Sequence, residues 1–117
     1  MNDASYPWFI LVPDRDEITE IYQLESADQR QMWLESCVLS TRIMQVFQGD
    51  KLNIAAIGNL VPQLHLHHVV RYRDDCAWPS PVWGKFPPVA YESKALERLI
   101  SRLELFTIDG LSTAGVG

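Results

Sequence analysis

The sequence predicts an α+β domain: a small antiparallel sheet with one long helix and one C-terminal helix. Three observations predict it. Short runs rich in apolar and β-branched residues occur at positions 8–12, 51–57 and 63–71. A much longer stretch, 26–48, repeats apolar residues near the 3.6-residue helical period. The resulting order, β-α-α-β-β-loop-α, indicates helices and strands segregated around a small antiparallel sheet.

Each element has a local reason. Trp8-Phe9-Ile10-Leu11-Val12 is a continuous apolar run closed by Pro13, the pattern of a short strand buried on both faces. Pro13-Asp14-Arg15-Asp16 turns into a short helix over 17–24, with Asp16 as its N-cap. Ser26-Ala27-Asp28-Gln29 fits the capping box that opens the long helix. Met32, Trp33, Cys37, Leu39, Ile43, Met44 and Phe47 give that helix its apolar face, with Trp33 placed in the core; Gly49 stops it. Its apolar arc is broad enough to serve both a core and a partner.

Residues 51–57 read as a strand, Gly58-Asn59 as a turn, and Pro62 leads into a strand over 63–71. These two strands are expected to be antiparallel neighbours. Residues 74–88 hold four of the seven prolines and two of the four tryptophans, too many breakers for regular structure and too many rings for a loose linker. An ordered surface loop is expected there. Arg71 and Arg73, beside Asp74 and Asp75, read as surface ion pairs, and Trp78 and Trp83 as packing anchors. A final amphipathic helix over 91–105 carries Leu96, Leu99, Ile100 and Leu103 on one side. One domain over 1–107 is followed by a flexible tail at 108–117, whose last residues, 110–117, are small and Gly-rich.

Bulk properties exclude several function classes. At 117 residues, 47% hydrophobic and 21% charged, the chain suits one globular core. A net charge of −5 argues against coating a nucleic-acid polymer, though a small phosphorylated ligand needs only a local site. No segment approaches the roughly 18 apolar residues of a membrane span. The first apolar run follows Asn2 and Asp3 rather than a basic segment, unlike a secretory signal. Cys37 and Cys76 have no C-x-x-C spacing and read as reduced thiols. The expected compartment is the cytoplasm.

All three histidines lie in Gln63-Leu64-His65-Leu66-His67-His68-Val69-Val70. Side chains alternate along a strand, so Gln63, His65 and His67 share one face, while Leu64, Leu66 and His68 share the other. Zinc would need ligands beyond His65 and His67; His68 faces away, and Asp74 and Asp75 lie past the strand end, so no metal is expected. A phosphoryl group suits the face better, because it offers an amide donor, an imidazole nucleophile and a second imidazole donor. Gly58-Asn59 can bring backbone N–H groups close to such a group. On spacing alone, a solvated sheet face with ordinary polar residues stands beside this reading.

The segment resembles the signature of the histidine triad (HIT) superfamily, His-φ-His-φ-His-φ-φ, with glutamine in the first slot. The strand ending in Val12-Pro13, the long helix, the next strand and the Gly-Asn turn agree with that resemblance. The segments 51–65 and Trp78-Pro79-Ser80-Pro81-Val82-Trp83-Gly84 are similar to a bacterial subgroup resembling diadenosine polyphosphate hydrolases. The resemblance covers roughly residues 3–105. It implies a HIT-like antiparallel sheet and a homodimer acting at the α-phosphate of a dinucleoside polyphosphate or nucleoside phosphoramidate, with no cofactor. By position, His65 matches the nucleophile that forms a nucleotidyl-imidazole, its other nitrogen held by a carbonyl. His67 matches the donor to phosphate oxygens, Gln63 meets the leaving group or a phosphate oxygen, and Asn59 with Gly58 approaches the phosphates. Asn2 or Asp3 falls near the ribose-contacting position.

Two departures carry weight. Many members have a histidine five residues before the early proline, where this chain has Trp8. Gln63 also removes an ionisable group from the first slot. Both weaken general-acid help to the leaving group, so a nucleotide-binding regulatory protein with little turnover is the alternative expectation. His68 replaces an apolar residue and is expected to be buried. Relatives generally begin with a hairpin ahead of the segment matching Met1-Asn2-Asp3. Its lack here would mean an upstream segment or a reduced sheet with an exposed edge.

Overall fold

The central element is β3 (Leu66–Arg71), which pairs antiparallel with β1 (Trp8–Leu11) on one side and β2 (Lys51–Ala55) on the other. This computed structural model describes residues 1–104, so the boundary expected at 107 and the tail beyond it lie outside the described residues. With α1 (Ser26–Phe47) and α2 (Ser93–Glu104), the three strands form the α+β arrangement expected. Every residue of β3 is buried, because strands cover both of its edges while α1 and the loop after β3 cover its two faces.

Register fixes which side chains meet. Trp8 stands opposite Val69, and Ile10 opposite His67, so these four share a face. Tyr6, Trp8, Val69, Ala77 and Val82 form the core there, with Trp83 packed against it. On the other face, Leu66 packs with Leu11, Leu24, Leu64 and Met32. His68 lies on that face fully enclosed: Ser36 of α1 donates its hydroxyl to Nε2 at 2.7 Å, and Nδ1–H donates to the Leu66 carbonyl at 3.1 Å.

Several local expectations are corrected. No α-helix forms over 17–24; only a 3₁₀ turn at Ile21–Gln23 does. Glu17 takes a left-handed φ of 58°, which breaks a helix before it can nucleate. The Gln23 side-chain oxygen then accepts the Thr19 and Glu20 N–H groups. Ser26 is the first residue of α1 rather than its cap, and Gln29 reaches back to the Leu24 carbonyl. Gln48, at φ 50°, makes the left-handed stop expected of Gly49. Gly49 is needed for another reason, since a Cβ there would run into Val70.

Trp33 is 58% exposed, not core: the sheet takes the Met32, Ser36 and Ile43 side of α1. The loop at 74–88 is ordered, as expected, with Ala77 and Val82 buried against β1 and β3. The Arg71 pair is deeply buried rather than a surface pair. Arg71, 1% exposed, makes two guanidinium bonds to Asp75 and one to Asn53, tying the strand end to that loop. Cys37 and Cys76 are free thiols.

Candidate active site

Two-residue spacing along one extended segment brings His65 and His67 together, with ring centroids 4.9 Å apart. The strand begins at Leu66, three residues later than expected, because Gln63 sits in a bend. That bend turns the Gln63 carbonyl onto His65 Nδ1 at 2.7 Å. A carbonyl only accepts, so His65 Nδ1 carries the proton and Nε2 of the neutral ring keeps its lone pair. The Gln63 side chain donates to the Arg15 carbonyl at 3.2 Å, anchoring the bend to the segment after β1.

His67 is held in the opposite way. Trp8, on the neighbouring strand and the same face, donates its indole N–H to His67 Nδ1 at 2.9 Å. An indole only donates, so Nδ1 is the acceptor and the neutral ring carries its proton on Nε2. Burial, and then the charge that His65 would carry, push His67 down to about 4. It is therefore neutral at physiological pH. Trp83 closes the cluster edge-on, 5.7 Å from His67 and 5.8 Å from Trp8. Its own Nε1–H is buried with no acceptor among the described residues.

The other expected site residues fall into two groups. Gly58, at φ 64°, makes the turn after β2 and borders a shallow depression with His65, Thr19, Glu20, Ile57 and Leu64; Asn59 follows, exposed. Asn2 and Asp3 hold the chain around residues 89–91 instead. Asn2 Oδ1 accepts the Tyr91 N–H, and Asp3, buried, accepts the N–H groups of Ser5 and Val89. Those acceptors are engaged in packing the first residues of the chain. Among the described residues, no three His, Cys, Asp or Glu side chains are grouped as metal ligands.

Two contributors escaped sequence reasoning. Trp8 was visible only as the absence of a histidine; that it would hydrogen-bond His67 required the strand order. Trp83 reaches the histidines from a loop whose path no periodicity encodes.

Known proteins share the family and the fold. The family model described as HIT domain matches residues 1–74. A histidine triad protein from Marinobacter aquaeolei VT8 superposes with a TM-score of 0.87 at 51% identity, over 90% of this chain and 77% of that one. One from Bradyrhizobium japonicum gives 0.86 at 44% identity, over 90% and 78%. Another, from Sinorhizobium meliloti 1021, gives 0.86 at 34% identity, also over 90% and 78%. No curated protein matches the chain.

Proposed function

The chain belongs to the HIT domain family, and on that premise we propose that it is a nucleotide hydrolase or transferase acting at an α-phosphate. The substrate is a dinucleoside polyphosphate or a nucleoside phosphoramidate. One observation carries the reading: His65, whose Nδ1 is bonded to a carbonyl, stands ring to ring with His67, whose Nδ1 accepts an indole N–H. Nε2 is therefore the lone-pair atom of the first and the N–H of the second. His65 Nε2 attacks the α-phosphorus, and the leaving group departs with the electron pair of its broken bond. The Gln63 carbonyl stabilises the imidazolium made by that attack. His67 Nε2–H, with backbone N–H groups at Gly58-Asn59 and the Asn59 amide, donates to the phosphate oxygens as negative charge builds. Water then displaces His65, releasing a nucleoside monophosphate and a proton. No cofactor enters these steps.

A second reading has its own support. Neither Gln63 nor Trp8 can supply a proton, so a regulatory nucleotide-binding protein with little turnover fits the same pocket. In either case the protein acts in the cytoplasm as a homodimer, with no nucleic-acid polymer or membrane as partner. No helix among the described residues is long and apolar enough to cross a membrane.

Purified protein incubated with a diadenosine polyphosphate and a fluorogenic adenosine phosphoramidate tests the choice. Turnover abolished by His65→Ala is the expected outcome. Turnover that survives this substitution would rule out His65 as the nucleophile, and binding without turnover selects the second reading.

A further inference from the structure

The hydrogen bonds of the two site histidines have a chemical consequence for what the site can cleave. Trp8 Nε1–H bonds His67 Nδ1 at 2.9 Å, and Gln63 O bonds His65 Nδ1 at 2.7 Å. The two neighbouring rings are thus held in opposite tautomers, one showing a lone pair and the other an N–H. Protonating His67 would place an Nδ1–H directly against the indole N–H. Two donors would then face each other in a buried cluster with Trp83, and the hydrogen bond would be lost. His67 can donate a hydrogen bond from Nε2, but it does not carry the extra proton that a general acid must give away.

The remaining candidates among the described residues supply none either. A neutral amide such as Gln63 is no proton source, and its N–H is engaged with the Arg15 carbonyl. His68 lies on the opposite face, between Ser36 and the Leu66 carbonyl. Glu20 borders the depression beside His65 but is exposed.

We infer that Trp8 is a positioning residue that fixes His67 as a neutral donor, and that the site therefore selects nucleotides whose leaving group departs as a stable oxyanion. The inference rests on the proposed attack by His65. In a phosphoanhydride, the N–P bond to His65 forms as the P–O bond breaks, and the electron pair leaves on a phosphate oxygen as an ordinary anion. In a phosphoramidate, the P–N bond breaks and the pair stays on nitrogen. That nitrogen leaves as an amine only if a proton arrives in the same step, and no group among the described residues is placed to deliver it. Dinucleoside polyphosphates are the substrates, and phosphoramidates are poor ones.

The test uses the full chain and two measurements. Nitrogen-15 correlation spectra at neutral pH should show His67 protonated at Nε2 and bare at Nδ1, with the opposite pattern for His65. In Trp8→Phe the His67 pattern should become mixed. Should that variant fail to fold, the parent spectrum still decides. A His67 protonated at Nδ1 in the parent overturns the role of Trp8. In kinetics, kcat/KM for diadenosine tetraphosphate should exceed that for an adenosine phosphoramidate by at least about 100-fold, the low end of what a general acid supplies. Gln63→His should narrow the gap by raising the phosphoramidate rate. Equal rates, a preference for the amine leaving group, or amine release that depends on Glu20 (lost in Glu20→Gln) overturns the inference and leaves the hydrolase reading standing. Turnover of neither compound overturns both.

Discussion

His68 and Ser36 show at the scale of single residues what an enclosed polar group demands. Both are almost fully buried, and the serine hydroxyl is the only donor given to His68 Nε2 among the described residues. Ser36→Ala leaves that nitrogen unsatisfied, so a loss of about 1–3 kcal/mol is expected. It would be read as a lower urea midpoint at unchanged slope. A midpoint within error of the parent would mean that the bond contributes nothing net. The sequence carried part of this: alternation alone separated His68 from His65 and His67, and burial of His68 followed from the leucines sharing its face. The partner did not, because Ser36 lies 32 positions away on another element. Trp8 was hidden for the same reason. Hydrogen bonds between distant side chains have no local pattern to betray them.

Elements were more legible where one periodicity dominates. The long helix was placed nearly to the residue, and the strands to within one to three residues at their ends. The segment at 17–24 failed because one left-handed residue, Glu17, outweighs a helical pattern over so short a span. On α1 the sequence left one broad apolar arc, and only packing against the sheet chose which side of it turns inward. Met32, Ser36, Leu39 and Ile43 turn inward; Trp33, Leu34 and Val38 remain exposed. An outward strip of this kind fits the homodimer proposed above. Trp33→Glu combined with Val38→Glu should therefore sediment as a monomer at concentrations where the parent is dimeric, with an unchanged circular dichroism spectrum. Equal sedimentation coefficients would move the interface elsewhere.

For the whole molecule, acid is the condition that separates the buried groups. His67 is lowered to about 4 and His68 is lowered too, in both cases chiefly by burial. The unfolded chain, with histidines near 6.5, takes up protons first as pH falls. The stability held by the neutral rings is therefore complete above about pH 6.5 and is lost toward pH 4. Asp75 behaves differently. Burial alone would raise it, yet the Arg71 hydrogen bond and the N–H groups of Tyr72 and Ala77 hold it below the ordinary carboxylate value. Its contribution persists until pH falls below the usual carboxylate range. The urea midpoint should thus decline between pH 6.5 and 4, and His67→Gln should flatten that decline. A parent midpoint constant down to pH 5 would contradict the assignment.

Trp8 and Trp83 stand 5.8 Å apart at 84°, one bonded through its N–H to His67 and the other bonded to nothing described. Two indoles so close and nearly perpendicular have coupled electronic transitions, and they differ in the vibrational bands that report N–H bonding. Near-ultraviolet circular dichroism and resonance Raman spectra of the unlabelled protein therefore sense the histidine pair directly. A change in the charge or bonding of His67 on nucleotide addition can be followed optically, with no dye, tag or engineered probe.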